Sequence, residues 1–358
     1  MDSALWVDRY RPRGLEKLEI HTRVNDRLKK MVASGDLPHL MFYGPSGAGK
    51  KTRVIAVLRE LYGPAVEKVK VEQRTFKFTT PSRATVEMSL LSSMHHVELT
   101  PADAGTKDVL IVQSIVKEFA SSAHITDVSQ KRGFKLIVLN EVDRLSKRAQ
   151  HALRRTMETS TAGCRLVLCS SSSGKVIGPL RSRCLLVRVP APTNDEIKAV
   201  LERIAKREGF QMLDSMTDKI IEASGRNLRK AILCLEATKA TQFPFTERQQ
   251  PQVPAWEDYV CMLAKDVMEQ QTPGRLQEVR TKLYELLSHC IPATLILKRL
   301  TIELVAKVDP RLARDVAHWA AFYEHRLQTG NKEIFHLEGF VAKFMSLQLQ
   351  LLLNEAMM

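Results

Sequence analysis

Residues 44–52 read GPSGAGKKT, and no other stretch constrains the fold as tightly. Three glycines within six residues let a backbone curl into a nest of inward-pointing N–H groups. Such a nest cradles phosphate oxygens when a strand leads in and a helix leads out. Both flanks fit. HLMFY (39–43) reads as a strand ending at Gly44, and KKTRVIAVLRELYG carries apolar residues at helical spacing and stops at Gly63. Gly44, Pro45, Ser46, Gly47, Ala48, Gly49, Lys50, Lys51 and Thr52 are therefore expected around nucleotide phosphates, with Lys50 reaching the outer ones. The departure is at 51. A Ser or Thr hydroxyl that would coordinate Mg2+ is replaced by Lys51, and Thr52 comes one place too late.

Two further runs, FKLIVL (134–139) and RLVLC (165–169), are almost wholly apolar, as central strands of a parallel sheet covered on both faces should be. Strand–helix alternation of this kind predicts a doubly wound α/β domain. The first run leads into Asn140, Glu141, Val142 and Asp143. An apolar strand ending in Asp-Glu places one carboxylate on a metal and a glutamate on the attacking water. Here Asn140 stands in the metal position, and a neutral amide is a poorer ligand for a hard dication. Two Mg2+ contacts are weakened together. Glu141 remains, either as the activating base or as a solvated or salt-bridged residue at a strand end.

Charge points to phosphate-rich partners. Lys and Arg number 54 against 40 Asp and Glu, a formal net of +14 spread through the chain, which favours nucleic acid over a merely basic surface. The helix SKRAQHALRRTME (146–158) gathers Lys147, Arg148, Arg154 and Arg155 on one face, suited to following a phosphodiester backbone or to internal salt bridging. Arg181 and Arg183 follow the loop SSSSGKVIGPL; fixed guanidinium charge there can stabilise a transferring phosphoryl group or be an inert surface pair. GRNLRKAI (225–232) opens a helix with Arg226, Arg229 and Lys230, which could cap an anion. The six cysteines show no CxxC pair and read as reduced thiols, and no run approaches the roughly 18 apolar residues of a membrane span. An intracellular protein without a membrane segment is expected.

The pattern changes at VPAPTNDE, where two prolines end a strand and Thr193 with Glu196 makes a capping box. From there to about Phe243 a three-helix domain fits, and FPFTERQQPQVPAW (243–256) reads as a linker. Beyond it, RLQEVRTKLYELL, TLILKRLTIELVAKV and FVAKFMSLQLQLLL are amphipathic helices. The expected domains are 1–189, 190–245 and 246–358.

In this order LWVDRYRP, GPSGAGK, NEVD, ALRRTME, SRC and NLRKAI resemble the boxes of the replication factor C small subunits, clamp-loader proteins of the AAA+ class. The helical remainder is similar to that family's collar, so the resemblance covers nearly the whole chain. The GKKT and NEVD variants, with GKVI, VRVPAP and YEHRLQ, resemble its third-subunit branch. The resemblance implies an AAA+ parallel-sheet P-loop domain, a small helical lid and an all-helical collar used in oligomerisation. It implies that Val7, Tyr10 and Arg11 pack around the adenine of ATP or ADP, and that Arg229 is the sensor-2 arginine near this chain's own phosphates. Arg183 matches the arginine finger that enters a neighbour's site in trans, and Glu141 the Walker B glutamate. The sensor-1 asparagine of active members is replaced by Ser171, a third departure beside Lys51 and Asn140. QSIVKEFA (113–120) resembles the part that meets the sliding clamp, although an amphipathic core helix reads the same way.

The implied partners are the other replication factor C subunits in a hetero-pentamer, the sliding clamp (proliferating cell nuclear antigen) and primer-template DNA, in the nucleus. The three departures imply that the chain's own site binds nucleotide with little or no hydrolysis and weaken the case for Mg2+ there, with Lys51 able to supply charge in its place. Two rival readings stand beside this one. An autonomous AAA+ ATPase that remodels DNA or protein as a homo-oligomer requires ring formation and ATPase activity from this chain alone. A scaffold with a vestigial site requires that no nucleotide is bound.

Overall fold

The computed structural model describes residues 4–35, 37–77, 85–122, 134–159, 164–246 and 249–356. The chain divides into two compact units, Met1–Gln252 and Val253–Met358. The first begins with α1 (Trp6–Arg9) and α2 (Thr22–Ala33). It continues through β1 (Leu40–Tyr43), α3 (Lys50–Tyr62), β2 (Lys70–Lys77), β3 (Thr85–Ser92), β4 (His96–Leu99) and α4 (Asp108–Ser122). Then come β5 (Lys135–Leu139), α5 (Lys147–Thr159), β6 (Cys164–Ser170), α6 (Gly178–Arg181) and β7 (Leu185–Arg188).

The strands form one sheet in the order β2-β3-β4-β5-β6-β1-β7. The run from β4 to β7 is parallel, with Leu40 registered against both Val167 and Leu185 and Val138 against both Glu98 and Val167. Alternate residues of β1 and β5 enter opposite cores. Met41, Ile137 and Leu139 meet Ile111 of α4 and Leu153 of α5, while Leu40, Phe42 and Val138 meet Leu28 of α2 and Val54 and Leu58 of α3. Burial on both faces is why these strands read as unbroken apolar runs, each large side chain contributing about 1.5–3 kcal/mol. The central strands are parallel as expected, and the sheet is extended at one edge, where β2 pairs β3 and β3 pairs β4 antiparallel. Half-exposed edge strands, with Val71 at 71% exposure beside buried Leu90, carry no continuous apolar signal.

The three helices expected after the prolines are α7 (Asn194–Arg207), α8 (Asp214–Ser224) and α9 (Leu228–Thr241). The capping box is present: Glu196 N donates to Thr193 Oγ1 at 3.2 Å, and Thr193 N donates to Glu196 Oε2 at 2.8 Å. Ile197, Leu201, Ile220 and Leu235 close a core that also takes in Trp6 and Ile20 from the N-terminal segment. Phe243 and Phe245, from the stretch read as a linker, pack against Phe210 of the same helical part. Four of the six free cysteines are buried, and burial pushes the Cys169 and Cys184 thiols up to about 12.

The second unit holds α10 (Ala255–Glu269), α11 (Pro273–Ser288), α12 (Ala293–Lys307), α13 (Pro310–Thr329) and α14 (Glu333–Ala356). Thr272 and Asp309 cap α11 and α13, each followed by a proline in the first turn, where its missing N–H costs nothing. Val260, Leu283, Leu300, Val316 and Phe340 form its core, and Leu349, Leu352 and Leu353 of α14 remain about half exposed.

Candidate nucleotide site

The loop between β1 and α3 has the conformation that its glycines predict. Gly44, Gly47 and Gly49 have φ values of 151°, 72° and 85°. A Cβ at Gly44 would lie 1.9 Å from Val189 O, and one at Gly47 would lie 1.7 Å from Asn227 Oδ1. Asn227 is also the N-cap of α9, accepting from Lys230 N at 3.2 Å, so the phosphate loop lies directly against the start of the last lid helix. Lys50 Nζ folds over the loop and donates to Gly44 O at 2.6 Å and Pro45 O at 2.9 Å. Burial lowers its pKa, with Asp143 and Glu141 acting in the opposite sense and Arg229 reinforcing the fall. Glu141 and Asp143 of one motif and Arg229 of another are thus within electrostatic reach of Lys50 in the phosphate loop.

Behind the loop lies a residue that the motifs do not include. Arg53 is 1% exposed and braces the loop from its core side. Its guanidinium donates to Ala48 O, Gly49 O, Ile20 O and Asn25 Oδ1 at 2.8–3.3 Å and faces His21 Nδ1 at 3.0 Å. His21 N donates in turn to Glu196 Oε1 of α7 at 3.1 Å. A charged side chain on the inward face of an apolar helix was the available signal.

On the metal side, each departing residue is engaged within the chain. Lys51 Nζ forms an ion pair with Glu98 Oε1, and Asn140 Nδ2 donates to the same oxygen at 2.7 Å. Glu98 is 8% exposed on β4 and was not read from the sequence, where a lone acid in the short strand HVEL was its only mark. Ser171 bonds through both N and Oγ to Asp143. Glu141, in the left-handed region at φ 52°, pairs with Arg144 at 2.8 Å.

The N-terminal segment is held by the lid. Trp6 N donates to Glu236 Oε2 at 3.1 Å, Tyr10 Oη bonds Glu208, and Val7 borders the lid core; Arg11 pairs with Asp8 at 2.9 Å. Arg183 sits just after α6, its Nη1 donating to Pro179 O at 2.7 Å and its Nη2 bonding Glu158 of α5. On α5, Lys147, Arg148 and Arg155 are exposed and Arg154 is partly so, while Ala149, Leu153 and Met157 face the core. The expected basic stripe is present. Helix α4 contains residues 113–120, although the side chains of Val116, Lys117, Phe119 and Ala120 lie outside the described residues.

Three family models match successive parts of the chain. Residues 20–193 match the DNA polymerase III delta subunit, 199–240 the RCF1/5-like AAA+ ATPase lid domain, and 256–351 the C-terminal domain of replication factor C subunit 3. Over 98% of this chain and 99% of the relative, it is 51% identical to replication factor C subunit 3 of Arabidopsis thaliana. The chain belongs to the replication factor C subunit family. It is 50% identical to the Homo sapiens replication factor C subunit 3 over 96% of each chain, and 46% identical to subunit 5 of Schizosaccharomyces pombe over 98% of each. Membership in the replication factor C family carries the clamp-loader role and the nucleotide-binding AAA+ fold expected from the motifs.

Proposed function

We propose that this replication factor C subunit holds a nucleotide in its own site as a structural element and assists hydrolysis in a neighbouring subunit through Arg183. The observation that carries the reading is the contrast between the two sides of the phosphate loop. Gly44, Gly47, Gly49 and Lys50 keep the geometry of a phosphate cradle, whereas Lys51, Asn140, Ser171 and Glu141 are all engaged with partners of the same chain. ATP or ADP is the ligand class, with Tyr10, Val7 and Arg11 at the adenine and Arg229 near the phosphates. The donor set on the metal side is a poor fit for Mg2+, because an ammonium already neutralises the one buried carboxylate there.

The complex is a hetero-pentamer of replication factor C subunits acting in the nucleus on primer-template DNA and the sliding clamp, proliferating cell nuclear antigen. The exposed side of α5 supplies the DNA-facing charge, α4 the clamp contact, and the helical unit from about 246 onward the collar. Residues 1–189 and 190–245 form the nucleotide domain and its lid. Denaturing the purified chain and identifying released nucleotide tests the reading. Retained ADP or ATP, with no measurable hydrolysis by the isolated chain, supports it. Turnover abolished by Lys50→Ala would instead favour an autonomous ATPase, and an empty site would favour a vestigial scaffold.

A further inference from the structure

The two departures on the metal side meet at one atom. Lys51 is in the first turn of α3 and Asn140 follows β5, yet both bond Oε1 of Glu98 on the neighbouring strand β4. The backbone fixes this meeting: Glu98 is registered with Val138, and Asn140 N donates to Leu99 O at 2.9 Å, so residues 98 and 140 are held side by side at the strand ends. The carboxylate can only accept, so the amide must present its N–H to it.

Charge balance then decides what the cluster needs. Lys51 is positive, Glu98 negative and Asn140 neutral, which leaves no net charge. A hydroxyl at 51 and a carboxylate at 140 would leave two negative charges beside the phosphates, an arrangement that calls for a dication. With Lys51 in place, a dication would instead meet an ammonium and a carboxylate already spoken for. We propose that Lys51, Glu98 and Asn140 together replace the divalent cation, so that this site takes a nucleoside diphosphate or triphosphate without a metal. Glu98 is the positioning residue: it holds the Lys51 ammonium at the mouth of the cradle, next to Lys50 and the positive start of α3. This inference rests on the reading that the site holds nucleotide, and it adds that binding is indifferent to Mg2+.

Once the full chain has been stripped of resident nucleotide, and its emptiness checked by denaturing a sample and finding none released, titrating it with a fluorescent ADP, once in Mg2+ and once in EDTA, tests it. The two dissociation constants are expected to agree within about twofold, whereas the double variant Lys51→Thr, Asn140→Asp should lose at least about tenfold affinity on chelation. Wild-type protein that binds ADP only in Mg2+ overturns the assignment and leaves the nucleotide-holding reading standing. Failure to bind in either buffer overturns both. A folded double variant that ignores EDTA also overturns it. Should circular dichroism show the double variant unfolded, Glu98→Gln replaces it: the ammonium loses its anchor but stays in the site, so ADP affinity should fall by several-fold while remaining insensitive to EDTA; undiminished affinity refutes the positioning role of Glu98, and a new Mg2+ requirement refutes the role given to Lys51.

Discussion

Replacing Arg53 with methionine tests how the phosphate loop is held in shape. Arg53 is buried, and burial brings its pKa down to about 10. A fall of roughly 2.5 from the ordinary value corresponds to about 3 kcal/mol spent on placing the charge there. Methionine has similar length and leaves little cavity, so the variant recovers that cost and loses the hydrogen bonds. Ile20 O, Ala48 O, Gly49 O, Asn25 Oδ1 and His21 Nδ1 then lack their donor. At about 1–3 kcal/mol for each buried unsatisfied group, with partial re-pairing, the loss is about 7 kcal/mol. The net destabilisation is about 4 kcal/mol, which for a unit of this size lowers its melting temperature by about 10 °C. Scanning calorimetry reads the transition of Met1–Gln252 against that of Val253–Met358, which should stay in place. A loss below about 1 kcal/mol would refute the claim that Arg53 braces the loop.

Two other outcomes follow from the same structure. Burial, with smaller contributions from neighbouring charges, lowers the pKa of His21, His39, His95 and His96. Because the unfolded chain then binds more protons below about pH 6.5, stability should fall as pH drops from 7.5 to 5.5, by up to about 1.4 kcal/mol per pH unit for each histidine. Urea midpoints measure this, and a flat profile contradicts it; His21→Gln should shallow the fall. On α5, Arg148 and Arg155 are exposed on the basic face. Replacing both with alanine in the assembled complex should weaken DNA binding equally across sequences and reduce the slope of log affinity against log salt by about two. An unchanged slope would remove α5 from the DNA path.

The central strands and the phosphate loop were legible because their signals are local and strong: unbroken apolar runs for β1, β5 and β6, and glycines at positions where any Cβ would strike Val189 or Asn227. The capping box at Thr193 was equally plain, since both halves lie within four residues. The antiparallel edge was not, because β2 and β3 are half exposed and their pairing is set by neighbours rather than by composition. Glu98 and Arg53 left only faint marks for a related reason. Each acquires its role from residues far away in sequence: Glu98 from Lys51 and Asn140, Arg53 from Ile20, His21 and Asn25. Lys51 and Asn140 could be counted as two departures from the sequence, but that they share one carboxylate oxygen required the fold.

The division of labour proposed between this chain's site and its neighbour's is tested most directly at Arg183. Its guanidinium occupies both ends of its fork inside the chain, on Pro179 O and Glu158, so alanine removes a surface group with little effect on folding. In a replication factor C complex rebuilt with the Arg183→Ala subunit, assembly should survive while the ATPase rate stimulated by clamp and DNA falls by about tenfold or more. An intact complex that hydrolyses ATP at the wild-type rate would contradict the account.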